Sequence, residues 1–281
     1  MITEQSRAAH CASAERLARG AREVLLGAGN TTVVAAFLQD ASARSEPSVM
    51  TDAGGITVTS GLVAAVGAVR LLGADALAPY VLAGQALLPE ESAAVRLALS
   101  ALPPAQQPPA APPYGPEPPW VRAWIDWGLA TVLARLDPAA LHGPVPQPQG
   151  PPQCDGNAPR HRSAVGTADH LDGGGAEGWV PWSLRMGRLA SLALPGLDSP
   201  VHDAARSGAL ALARGATRAL LRRDFPTAAR ITRWLAWLAA DGAPLPLDAA
   251  LLAEDIALRG GGDRCLLDVA ISRRLLDLES V

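Results

Sequence analysis

From residue 199 to residue 240 the chain reads SPVHDAARSGALALARGATRALLRRDFPTAARITRWLAWLAA. Ser199-Pro200 and Asp224-Phe225-Pro226 mark two helix starts, because proline in a first turn forfeits no hydrogen bond and already has a helical φ. The punctuation predicts helices over 200–223 and 226–240. In the second, Ile231, Trp234, Leu235 and Leu238 recur at i, i+3, i+4 and i+7, which makes them the expected inward face. So short a connection folds the pair back on itself as an antiparallel hairpin.

The same grammar extends to both sides. Gly242, Pro244, Asp248, Gly260 and Asp263 bound helices over 249–259 and 264–278, and another is expected over 182–194. Toward the N-terminus, residues 7–26 place His10, Ala14, Leu17, Ala21, Val24 and Leu25 on one face. Asn30 is the expected N-cap of a helix that turns Val33, Val34, Phe37, Leu38 and Ala41 inward. Helices follow over 60–72, 75–87 and 89–102, with Pro89 in a first turn. Ile56-Thr57-Val58-Thr59 is β-like in composition but too short, and without a partner, to form a sheet.

Two segments interrupt this pattern. Residues 102–119 hold nine prolines in eighteen positions, and residues 143–178 hold six prolines and eight glycines. The first is expected to be extended, and neither has the apolar side chains to pack. One strong helix, 120–136, lies between them. No repeat of fixed period supports a solenoid. The expected architecture is all-α: antiparallel helical hairpins packed as one multi-helix domain. It divides into an N-terminal half (1–102), a proline-rich linker (103–119), a central tryptophan-rich helix (120–142), a Pro/Gly loop (143–178) and a C-terminal half (179–281). The two halves can share one core.

Composition bounds the function. The 281 residues are 49% hydrophobic and 18% charged, with a net charge of −3, enough for a sizeable core and too little positive charge for binding phosphate backbones. All 24 basic residues are arginine, a bias that codon composition explains, so arginine number by itself implies no phosphate site. Cys11, Cys154 and Cys265 are scattered and form neither a disulfide framework nor a CxxC zinc pair. Glu4 and the lack of an apolar core near the start argue against a secretory signal. The apolar run Leu62–Val69 is closed by Arg70 and is too short to span a bilayer. No transmembrane segment and a cytoplasmic location are therefore expected.

The tryptophans supply the candidate sites. On helix 120–136, at about 100° per residue, Val121, Ile125, Leu129, Val132 and Leu136 share one side, while Trp120, Trp124 and Trp127 share the other. Thr131 and Ala134 continue the indole stripe. A helix sandwiched between two layers explains this pattern, and so does a cavity walled by indoles. Trp179 and Trp182 offer a second wall, with Trp182, Met186, Leu189 and Ala193 in one stripe and Arg185 and Arg188 at its flank. Trp124, Trp127, Thr131, Trp179, Trp182 and Arg185 are the candidate ligand-binding set. On helix 226–240, Trp237 aligns with Arg230 and Arg233 and is expected at the surface, as a cation–π stack or an interaction hot spot. Arg214, Arg218 and Arg222 form a row at i, i+4 and i+8, a solvated face or a contact for an anionic partner surface.

Groups for chemistry are sparse. The loop CDGNAPRHRSAVGTADHLDGGG concentrates Cys154, Asp155, His161, Asp169, His170 and Asp172, but nothing in it has close metal-ligand spacing. Weak catalytic candidates are Asp126, His161 and His170. Asp126 stands at i+4 from Arg122 and is expected to make an ordinary helix-surface pair. A phosphate-binding GxxxxGK[ST] loop and a lysine Schiff base are excluded because the chain has no lysine. A paired-acid DDxxD-type magnesium motif is missing; Glu254-Asp255 followed by Asp263 has the wrong spacing. Neither cofactor nor metal is expected. The leading expectation is a helical binding or accessory protein that holds an apolar small molecule, a peptide or a partner protein. The alternative is a cofactor-independent lyase, cyclase or isomerase with a tryptophan-lined pocket. The oligomeric state stays open.

Overall fold

The computed structural model describes residues 4–29, 32–44, 60–101, 118–141, 145 and 178–278. Among these residues every regular element is a helix, as the sequence predicts. The N-terminal elements are α1 (Glu4–Leu25), α2 (Val34–Ala43), α3 (Ser60–Leu72), a 3-10 turn (Gly73–Leu77), α4 (Ala78–Leu82) and α5 (Pro89–Ala101). Then come α6 (Pro118–Leu136), α7 (Trp179–Arg188), a second 3-10 turn (Ala190–Leu192) and α8 (Pro200–Ser207). The series closes with α9 (Ala209–Leu221), α10 (Phe225–Ala240), α11 (Ala249–Arg259) and α12 (Asp263–Leu275).

One apolar cluster runs from Leu17 on α1 to Leu275 on α12 and draws on both halves of the chain. Its middle is α10, which packs against α7, α9, α11 and α12. Every side chain from Ile231 to Leu238 is buried, so this stretch of α10 is enclosed on all sides. On the other side, α1 lies against α3 and α12, while α2 and α5 cover α3. Helix α6 is clasped between the two 3-10 turns. Gly73 (φ +63) faces Ile125 and Gly128 faces Leu192, each so closely that a Cβ would overlap the opposite side chain. A smaller cluster of Ala219, Ala228, Ala229, Ile256, Cys265 and Val269 ties the end of α9 to α10, α11 and α12.

Several helix boundaries differ from the sequence reading, each for a local reason. The expected helix 75–87 is a 3-10 turn followed by the five-residue α4, and Gly73, in a left-handed conformation, separates that turn from α3. The expected helix 182–194 starts at Trp179 and ends at Arg188, then tightens into the second 3-10 turn. The expected helix 200–223 is two helices, interrupted at Gly208, where a Cβ would run into the Trp182 indole. Asn30 and Ile56–Thr59 lie outside the described residues. The first N–H groups of α2 are capped from a distance: the Glu91 carboxylate accepts from Val34 N (2.8 and 3.0 Å) and Ala35 N (3.3 Å).

The apolar run is also longer than the sequence reading allowed. Gly61–Leu82 spans 22 residues, its most apolar 18-residue window has a mean hydropathy of 1.6, enough by length and composition to cross a membrane, and 78% of that window is buried within this fold. Arg70 does not close the run. It is buried, and its guanidinium donates from Nε to Asp126 Oδ1 at 2.9 Å and from Nη2 to Oδ2.

Candidate functional site

Three of the candidate tryptophans are packed inward, and the Trp120 side chain lies outside the described ones. Trp124, Trp127 and Trp182 are buried members of the main core, and Trp179 is half-buried against it. Trp124 and Trp127 meet edge to face with centroids 5.4 Å apart. Trp182 rests on Gly208. Among the described residues the two pairs share no ring contact. Thr131 is half-buried, and its buried Oγ1 finds no hydrogen-bond partner among the described residues. Arg185 is half-buried.

Trp237 and Arg233 correct the sequence expectation of a surface. Trp237 is 6% exposed and Arg233 is fully buried. The cation over Trp237 is Arg206, 4.9 Å from the ring centroid, and neither Arg230 nor Arg233. Arg206 also pairs with Asp198 (3.3 Å), Asp203 (3.0 Å) and Asp241 (3.2 Å). Trp234, Trp237 and His202 form an aromatic triangle, with centroid separations of 5.0 to 5.9 Å. His202 is held at both nitrogens, Nδ1 to Ser199 Oγ and Nε2 to Leu192 O, each at 2.9 Å. The carbonyl can only accept, so Nε2 carries the proton and Ser199 donates to Nδ1. Burial keeps the imidazole pKa below its ordinary value, which fits a neutral ring locked in place.

Arg233 occupies the centre of a buried charge cluster that joins the two halves. It pairs with Asp75 of the first 3-10 turn (2.5 Å) and with Asp268 of α12 (3.2 Å). Arg264 reaches Asp75 (2.5 Å) and Asp268 (3.6 Å) from the same helix α12. Arg230 approaches Asp268 at 4.0 Å from the rim. Arg264 is tied down in turn by its backbone N–H, which donates to Glu15 at 3.0 Å. Two acids and two arginines balance the cluster, and it staples α1, the 3-10 turn, α10 and α12 together.

The catalytic candidates separate. Asp126 is paired with buried Arg70 on α3, which corrects the expected Arg122 partner: the carboxylate faces inward, across a helix–helix contact. His161 and His170 lie outside the described residues. Burial pushes the Cys265 thiol up to about 11, which leaves it an inert core group. Among the described residues no group of three or more His, Cys, Asp or Glu side chains could hold a metal ion.

The outer face of α9 has the opposite character. Arg214 and Arg222 are exposed and Arg218 is half-buried, as a solvated row requires. Among the described residues no carboxylate forms an ion pair with Arg218, Arg222 or Arg223. Leu221 stands among them 81% exposed, and Leu210, at the other end of the same face, is 42% exposed. Sequence reasoning marked the arginines and passed over both leucines. The available signal was Leu221 at i+7 from Arg214, a large apolar side chain on a charged face.

A cleft of about 260 Å³ between α1 and α2 also went unread in the sequence. Leu17, Val24, Val33 and Phe37 floor it, and Arg16, Glu23, Asp40 and Arg44 stand at its edge. Beneath it, Glu91 is fully buried and Tyr80 hydrogen-bonds to it. Burial pushes the Glu91 carboxyl up to about 7, against the opposing pull of the Ala35 and Val34 N–H donors and of Tyr80. Comparison with protein-family models, curated proteins and solved structures finds no match to this chain.

Proposed function

We propose that this chain is a helical binding protein that holds a partner protein or peptide of acidic character on the outer face of α9. The observation that carries the reading is the unpaired set Arg218, Arg222 and Arg223 around Leu221, which is 81% exposed. Cations near a helix C-terminus complement its dipole, which accounts for part of this placement. It gives no reason for a leucine in their midst. An apolar anchor ringed by guanidinium groups matches a partner with an apolar residue flanked by carboxylates, since arginine binds carboxylates bidentately and is enriched in interface hot spots.

The burial of Trp124, Trp127 and Trp182 supports packing as their role, and this favours a surface over a tryptophan-lined pocket in the proposed reading. The reading is tested by fluorescence anisotropy with a labelled helical peptide of alternating Leu and Glu turns. The wild-type chain binds it in low salt, and Arg218→Glu with Arg222→Glu weakens binding about tenfold or more. Equal affinity of the two proteins, or no binding by the wild type, overturns the proposal.

A further inference from the structure

The geometry points to a second copy of this chain as the occupant of the α9 face, docked through the outer face of α11; the inference rests on the reading of α9 given above. Helix α11 turns Ile256 and Ala253 into the protein and leaves Leu251 (69% exposed) and Leu258 (85% exposed) outside. Glu254 and Asp255 stand between the two leucines. The four residues occupy i, i+3, i+4 and i+7, one stripe of a helix. On α9 the same four places are held by Arg214, Thr217, Arg218 and Leu221. Each stripe therefore ends in a nearly fully exposed leucine with charge one turn before it. The charge is positive on α9 and negative on α11.

The match is in sign and in period, so Leu258 can seat beside Leu221 while Glu254 and Asp255 face Arg218, with Arg222 adding positive charge just beyond the leucine. Glu254 already pairs with Arg273 at 3.1 Å and Asp255 with Arg259 at 2.6 Å. Both are partly exposed pairs of the kind that contributes little to stability, so exchanging them for arginines of a second copy sacrifices little. Every copy carries one face of each kind. A two-fold arrangement satisfies both faces of both copies, and a head-to-tail arrangement extends into a chain.

Sedimentation velocity of the full chain, from micromolar to submillimolar loading, tests this. The wild type associates as concentration rises. Arg218→Glu with Arg222→Glu weakens association about tenfold or more, as does Glu254→Arg with Asp255→Arg, and all four changes in one chain restore it. Arg222 is exposed and the other three side chains are partly exposed, and far-UV circular dichroism verifies that each variant is folded. A wild type that stays monomeric throughout, or an association indifferent to both pairs of changes, overturns the inference. A monomer that still binds the acidic peptide overturns the second copy alone and leaves the α9 reading standing. A monomer that binds no peptide removes both.

Discussion

Helices α9 and α10 present almost the same pattern in sequence, arginines at helical spacing with a large apolar residue beside them, and the fold uses them in opposite ways. On α10, Arg233 is enclosed, neutralised by Asp75 and Asp268, and Trp237 is packed against His202. On α9, Arg218 and Arg222 face outward without a carboxylate, and Leu221 stands in solvent. The difference lies in what the rest of the chain brings to each helix. An acid from the first 3-10 turn and another from α12 reach α10. No acid among the described residues pairs with Arg218 or Arg222 on α9. A row of arginines is therefore ambiguous until its counter-charges are located, because a buried guanidinium requires a partner and an exposed one does not.

The largest effect belongs to the α10 side of the comparison. Arg233→Ala leaves Asp75 and Asp268 buried with a missing partner, and the expected loss is about 3–5 kcal/mol in chemical denaturation. A loss below about 1 kcal/mol breaks the comparison. Trp127→Ala, deep in the shared core, is expected to lose a similar amount, about 3–5 kcal/mol. A nearly unchanged melting temperature for that variant would return the indoles to the lining of a cavity.

Glu91 sharpens the same point, as a buried carboxylate whose hydrogen-bond partners are backbone N–H groups and Tyr80 and not an arginine. Its folded pKa of about 7 lies above the ordinary 4.5, so the folded state holds the proton more tightly than the unfolded chain does. The stability it contributes is complete below pH 4.5 and is lost as pH rises through about 7. The unfolding free energy of the wild type should fall by at most about 3 kcal/mol across that window, and Glu91→Gln should flatten the fall. An identical pH profile in the two proteins removes Glu91 from the account. The smallest effect is expected on α9, where Arg218→Ala shifts stability by no more than about 0.5 kcal/mol.

Most of the helical layout was legible because it is written locally. The inward faces of α1 and α2 follow from period alone, and Ser199, Asp224 and Asp248 cap α8, α10 and α11 with their own side chains. What was not legible depends on residues distant in sequence. The N-terminus of α2 is capped by Glu91, 57 positions beyond Val34. The burial of Arg233 depends on Asp75 and Asp268, and periodicity assigns an arginine to the outside unless such partners are known. The glycine at the 208 break is required by Trp182, which belongs to another helix and fills the space of a Cβ. Leu251 and Leu258 were hidden for the opposite reason: an exposed leucine is common, and it becomes informative only once its exposure and neighbours are known.

The most direct measurement is guanidinium denaturation of Arg233→Ala and Arg218→Ala side by side with the wild type. The account predicts a large drop in the midpoint for Arg233→Ala and a midpoint within error of the wild type for Arg218→Ala, with the slope unchanged in both. Equal shifts for the two variants, in either direction, would contradict the division between an arginine that holds the fold together and one that the fold does not need.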